Sequence, residues 1–251
     1  MYSKETTQQL QKLTTALIKK KAADSINKKE IEDLRNALRF HEYRYYIVND
    51  PLISDYEYDQ LYKVLEKIEK ENPNLVTADS PTQRVAKGLT KAFPTVQHLV
   101  PMLSLDNSYN SEDLVDFDRK AREATGLKEI EYCAEPKFDG GSISLIYEDD
   151  ALVRGATRGN GVEGDEVTTN IKQIRSIPLS AKFSDYGLQL AEIRGEVLIN
   201  KNNFAKYNQQ LAEQGYPPLA NPRNAASGTL RIKDPEEVRK RCLEAFVYNI
   251  S

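Results

Sequence analysis

Apolar residues recur at helical spacing through the first seventy residues. Residues 4–20 place Leu10, Leu13, Leu17 and Ile18 on one face, and residues 29–46 do the same with Ile31, Leu34, Leu38, Tyr45 and Tyr46. Asn49-Asp50-Pro51 interrupts the pattern, because proline cannot continue a helix. A third helix is predicted at about 54–70, with Leu61, Val64, Leu65 and Ile68 on its apolar face. Ser54, three residues before Glu57, forms a capping-box signature at its start. Asn72-Pro73 ends this helix, and a connector with three prolines and several turn formers follows, so a domain boundary is expected near 75–95. The expected division is a helical domain at 1–91 and a second domain at 92–251.

In the second region the apolar period shortens. IEYCAEPKFDG, SISLIYEDDALVRGATRG, LQLAEIRGEVLIN and LEAFVYNIS alternate or run apolar, as strands do. A hairpin is expected around Glu148-Asp149-Asp150, and helices at 111–124, 201–214 and 234–240. Strands and helices in this order predict an α+β domain around a mainly antiparallel sheet. LEAFVYNIS ends on a strand with no closing turn, so the chain is expected to stop inside a larger protein.

Composition narrows the class. Of 251 residues, 39% are hydrophobic and 29% charged, enough apolar matter for packed cores. No long apolar run reads as a transmembrane helix, and the N-terminus shows no secretory signal. Net charge is -3 overall. Residues 1–91 hold 16 basic against 14 acidic side chains and residues 92–251 hold 19 against 24, so neither region is a stand-alone nucleic-acid clamp. Cys133 and Cys242 supply no disulfide framework and no zinc cluster, which points to a reducing compartment, the cytoplasm.

The segment with the most chemistry is Glu135-Pro136-Lys137-Phe138-Asp139-Gly140-Gly141. In an extended chain Glu135, Lys137 and Asp139 share one face and Phe138 points to the core. A nucleophilic lysine must be neutral, against a free pKa of ~10.4, and two adjacent carboxylates raise that value. Activation must therefore come from cations or from the bound phosphate. A solvated, salt-bridged strand end fits the same spacing. Three further segments carry candidate chemistry: the glycine-rich turn 155–161 with Arg158, the strand with Arg194-Gly195-Glu196, and the polar turn-to-helix stretch 221–228 with Arg231 beyond it.

PMLSLDN, EPKFDG, RGATRGNG, IRGEV and ANPRNAASGTLR, in this order, resemble the nucleotidyltransferase core of bacterial NAD-dependent DNA ligases. HEYRYYIVNDPLISDYEYDQLY resembles the small helical (Ia) domain of the same ligases, and the likeness runs from about residue 30 to the C-terminus. The resemblance implies an ATP-grasp-like nucleotidyltransferase domain, incomplete at its C-terminus. It implies that Lys137 attacks the adenylyl phosphorus of NAD, forms lysyl-AMP and releases nicotinamide mononucleotide (NMN), the first step of sealing nicks in duplex DNA. It places Glu135, Ser104 and Leu105 at the adenine, Asp139 at the lysine and ribose, and Arg158 and Glu196 at the nucleotide sugar. Arg223 and Arg231 match arginines near nucleotide phosphate or the DNA backbone, where a planar fork of donors suits phosphate. Magnesium (or manganese) is implied as a phosphate shield, with Glu196 as a possible ligand.

Asp55, Tyr58 and Asp59 fall on one face of the capped helix. With Tyr45 and Tyr46 they suit a flat cationic ring such as nicotinamide, and the family uses matching positions for the NMN half. A tyrosine-rich packing surface is the plainer reading, and for His41 a surface or capping role stands beside a ligand role. Gly141, Asn160, Tyr46 and the order Asp165-Glu166 depart from the usual family pattern without removing a catalytic group. The family's later lysine motifs and its DNA-binding modules are missing, so full ligation by this chain alone is not expected. A monomer without membrane contact is expected. Two alternatives remain at this point: an NAD/NMN-binding fragment without chemistry, and an ATP-dependent ligase or capping enzyme, against which the helical Tyr/Asp segment argues.

Overall fold

The structure, a computed structural model, describes residues 2–20, 26, 28–46, 48, 50–84 and 92–251. Three helices open the chain: α1 (Lys4–Lys20), α2 (Lys28–Tyr46) and α3 (Asp55–Glu71). The expected apolar faces meet. Leu17, Ile31, Leu34, Leu38, Leu61, Leu65 and Ile68 form one buried cluster, with Leu13 and Val64 packed at its margin. The expected box at the start of α3 is present: the Glu57 N–H donates to Ser54 Oγ at 3.3 Å, and the Ser54 N–H donates to Glu57 Oε2 at 2.9 Å.

A polar network closes this unit. Arg35 and Glu69, both nearly sealed from solvent, pair at 2.8 Å, and Ser80 donates to the same carboxylate at 2.8 Å. Short helical turns at Pro73–Leu75 and Pro81–Arg84 bring Arg84 beside α2.

The second region holds β1 (Thr95–Gln97), α4 (Ser111–Thr125), β2 (Gly141–Glu148), β3 (Ala151–Thr157), β4 (Glu163–Asp165) and α5 (Thr168–Ile171). It continues with β5 (Leu190–Leu198), α6 (Lys201–Glu213), α7 (Pro222–Thr229), α8 (Pro235–Lys240) and β6 (Glu244–Ile250). An antiparallel sheet runs in the order β3-β2-β5-β6, and β1 pairs with β4 in a small ladder. The expected β2–β3 hairpin turns on Asp149 and Asp150, both at positive φ, the conformation of a two-residue turn matched to strand twist. One face of the sheet is apolar: Ile143, Leu145, Tyr147 and Val197 pack on Ile171, Ile174 and Ile177. The alternate residues, Ser142, Ser144, Glu192, Arg194 and Glu196, make the opposite face polar.

The strand expected over IEYCAEPKFDG is not there. Residues 130–139 have no ladder partner among the described residues, and the strand begins at Gly141. Pro136 has no N–H to donate, and residues 131–139 are exposed. Phe138 is also not in the core: it stacks on Phe246 of the terminal strand at 4.5 Å between ring centroids.

Candidate active site

The two groups of expected residues lie in two places. The first is a cavity of about 320 Å³ lined by His41, Glu42 and Tyr45 of α2 and Asp55, Tyr58 and Asp59 of α3. The structure thus brings Tyr45, Asp55, Tyr58 and Asp59 together, while the Tyr46 side chain lies outside the described residues. The capped start of α3 sets which face its acids present. The backbone and hydroxyl of Ser54 donate to Glu57 and hold its carboxyl below the usual range.

Behind these residues stands a buried carboxylate. Glu42 Oε1 accepts from Tyr58 Oη at 3.1 Å and from Arg175 Nη1 at 2.8 Å, and Oε2 accepts from Arg84 Nε at 3.2 Å. Arg175 comes from the segment after α5 and lines the same cavity. Arg84 also donates to the carbonyls of Lys172 (3.1 Å), Ile174 (3.4 Å) and Ile177 (2.9 Å). Sequence reasoning missed Glu42, Arg84 and Arg175. Arg84 and Arg175 lie 42 and 133 residues from Glu42 in the chain, and no local pattern marks them.

His41 has neither the surface nor the capping role: it is buried. Thr14 Oγ1 donates to Leu10 O at 2.7 Å and lies 2.9 Å from His41 Nε2. The hydroxyl proton is used on the carbonyl, so the imidazole carries its proton on Nε2 and donates it to Thr14. Burial first, then the charge of Arg44, pushes the His41 pKa down to about 4.

The second place is the polar face of the sheet. Ser142 of β2 faces Glu196 of β5 in register. Glu196 Oε1 accepts from the Gly140 N–H at 2.9 Å and Oε2 from Ser142 Oγ at 2.7 Å. This carboxylate therefore anchors the turn that carries Lys137. Gly140 is obligatory there, because a Cβ would lie 2.0 Å from the Val197 carbonyl oxygen. Arg158, just beyond β3, donates to Ser104 Oγ at 2.8 Å. The turn after it needs Gly159 at φ +54°, where a Cβ would lie 2.0 Å from the Glu163 carbonyl oxygen.

Asp139 pairs with Arg223 at 3.1 Å, while Glu135, Lys137 and Leu105 stand exposed. Arg223 sits in the first turn of α7, whose N-terminus is capped by Asn221. Arg231 is turned to Asp165 at 3.3 Å and is not brought to this group.

Among the described residues no cluster of three or more histidines, cysteines or acids could hold a metal ion. Each oxygen of Glu196 accepts one donor and keeps one lone pair, so it could give magnesium no more than a single shared ligand. No helix of the described residues is long and apolar enough to cross a membrane.

Comparison with known proteins assigns the family. Residues 90–251 match the model of the NAD-dependent DNA ligase adenylation domain, and residues 24–86 that of the DNA ligase-like N-terminal NAD+-binding domain. The chain belongs to the NAD-dependent DNA ligases. It is 63% identical over 221 residues to a DNA ligase of Persephonella marina, covering 88% of this chain and 31% of that protein. It is 59% identical over 254 residues to a DNA ligase of Sulfurihydrogenibium sp., covering all of this chain and 36% of the relative, and 52% identical over 256 residues to one of Aquifex aeolicus, again covering all of this chain and 36% of the relative. The chain thus spans about a third of the length of the curated relatives it matches. Helix α1 precedes the matched NAD+-binding domain, yet it supplies Thr14 to His41.

Proposed function

We propose that this chain is the self-adenylating portion of an NAD-dependent DNA ligase, with residues 1–91 holding the NMN half of NAD and residues 92–251 transferring the adenylyl group. The observation that carries it is the polar sheet face, where Glu196 anchors the Lys137 turn and Arg158 reaches Ser104.

In the step proposed, the lone pair of neutral Lys137 Nζ attacks the adenylyl phosphorus of NAD. An N–P bond forms and the P–O bond to NMN breaks. The electron pair leaves on the NMN phosphate, and one proton leaves Nζ. Lysyl-AMP results, and in the complete enzyme its adenylyl group passes to the 5′-phosphate at a nick in duplex DNA.

Each side chain has a stated task. Asp55, Asp59, Tyr45 and Tyr58 suit the cationic nicotinamide ring, which gains from carboxylates and aromatic faces together. Ser104, Leu105 and Glu135 contact adenine, and Arg158 and Glu196 the ribose. Asp139 orients the lysine and ribose. Arg223, one ion pair from Asp139, offers a guanidinium to phosphate, while Arg231, paired with Asp165 away from this group, is left for the DNA backbone. Magnesium would shield the pyrophosphate, held by phosphate oxygens and water more than by these side chains. The cytoplasm is the proposed location and a monomer the proposed state.

Intact-protein mass after incubation with NAD and magnesium tests the reading. A gain of one adenylyl group, absent in Lys137→Ala, is expected. Binding of NMN and AMP with no gain in mass would leave a nucleotide-binding unit without chemistry. Adenylation by ATP and not by NAD would overturn the choice of donor.

A further inference from the structure

We propose that Glu192, a buried carboxylate of β5, is the positioning residue that fixes the 98–104 strap and, through it, the nucleotide contacts of Ser104 and Arg158. The proposal rests on the reading of those two residues as nucleotide contacts.

Glu192 is 0% exposed, on the polar face of the sheet, and the adenylyl-transfer step does not use it. Such a group must be satisfied where it lies. Within the sheet Ser144 Oγ donates to Oε1 at 2.5 Å. The other oxygen leaves the sheet: Oε2 accepts the Val100 N–H at 3.2 Å. Two residues along β5, Arg194 donates to the carbonyls of Val100 and Pro101 and lies 3.4 Å from Glu192 Oε2. A carboxylate for the N–H and a guanidinium for the carbonyls thus do what a neighbouring strand would do. Pro101, which has no N–H, prevents the strap from forming a full ladder of its own.

The strap carries this placement to the nucleotide face. His98, its side chain 1% exposed, lies 3.9 Å from Glu192 through Nδ1 and 3.1 Å from the Arg158 carbonyl through Nε2. That carbonyl only accepts, so Nε2 carries the proton. The Met102 N–H donates to the Gly161 carbonyl at 2.7 Å, and two residues later Ser104 takes the Arg158 guanidinium. One carboxylate therefore holds the strap on the Ser104 side through Val100 and lies beside the imidazole that donates to the Arg158 carbonyl.

Glu192→Gln is the direct test. Its amide either sets NH2 against the Val100 N–H or turns over and takes the acceptor from the Ser144 hydroxyl proton, and in both cases the charge that holds the strap is gone. The chain has two histidines, so histidine-selective 15N labelling yields resonances from His41 and His98 alone. His41 reports the integrity of the helical unit and His98 reports the strap. AMP binding is measured by calorimetry for the wild type, Glu192→Gln, Arg158→Ala and the double variant.

The expected result is a moved His98 resonance, an unmoved His41 resonance and unchanged NMN binding. AMP binding weakens about tenfold in Glu192→Gln, as for one lost charge-assisted hydrogen bond. The double variant loses less than a further tenfold relative to Arg158→Ala, because only the Ser104 contact is left to move. Ser144→Ala, which touches the same carboxylate but not the strap, keeps AMP binding near the wild-type value. Should Glu192→Gln fail to fold, Arg194→Lys keeps the positive charge but loses the fork, and the same non-additivity with Arg158→Ala is expected. Full tenfold loss in the Arg158→Ala background, or an equal loss in Ser144→Ala, overturns the proposal. Wild-type protein that binds no AMP overturns the nucleotide reading beneath it, a different outcome from either.

Discussion

In the helical unit the polar groups around the cavity are nearly sealed: His41, Glu42 and Arg84 are buried, and Glu42 meets three donors. In the sheet unit Glu135, Lys137 and Asp139 stand in the open, on a segment without a ladder partner among the described residues. The first place is held in shape by its own contacts. In the second, the segment is tied at scattered points: Tyr132 to Asp118, Phe138 on Phe246, Asp139 to Arg223 and Gly140 to Glu196. A binding cavity gains from such preorganisation before any ligand arrives. Lys137 stands without surrounding walls, so in the proposed step its activation must come with the ligand that covers it.

Three substitutions and one titration test this contrast. Lys137→Ala should have the largest effect: no covalent adenylyl group by mass spectrometry, with NMN binding to the helical cavity unchanged by calorimetry. Equal loss of both would merge the two places into one.

Arg84→Met comes next. It strips a buried carboxylate of one partner and leaves three carbonyls without their donor, so a stability loss of ~3–5 kcal/mol is expected by urea unfolding. A loss under ~1 kcal/mol would mean that water replaces the guanidinium easily.

The third is the pH dependence set by His41. Its pKa falls from the ordinary 6.5 in the unfolded chain to about 4 in the fold. Above pH 6.5 the ring is neutral in both states and costs nothing. As pH falls from 6.5 towards 4 the unfolded chain takes a proton that the folded one refuses, so stability drops by up to ~3 kcal/mol. His41→Gln should flatten unfolding free energy across that window, and an unchanged slope would assign the dependence elsewhere. The smallest is Ser54→Ala, which removes the cap of α3 and should cost ~1 kcal/mol in thermal unfolding. It should also weaken NMN binding more than AMP binding, because the cap orients Asp55, Tyr58 and Asp59.

Much of the helical unit was legible because its signals are local. The Leu61–Leu65–Ile68 face, the Ser54–Glu57 box and the Asp55–Tyr58–Asp59 spacing all lie within one helix, and each is found in the structure. The hairpin at Asp149-Asp150 was legible for the same reason. Alternation misled at 130–139, since an extended chain alternates faces whether or not it pairs, and Pro136 was the neglected clue. The strap was invisible for a different reason. Glu192 reads as one more polar residue of a strand, and only the fold sets it against Val100, 92 residues earlier.

Arg84 has a consequence for how the two units can part. Its Nε serves Glu42 in the helical unit and its two terminal nitrogens serve carbonyls behind the apolar face of the sheet. Arg175 crosses the same joint to Glu42. Parting the units therefore breaks Arg175 from that carboxylate and leaves Arg84 either without Glu42 or without its three carbonyls, and each is a loss of buried partners. The Lys137 turn, meanwhile, hangs from the opposite face of the same sheet.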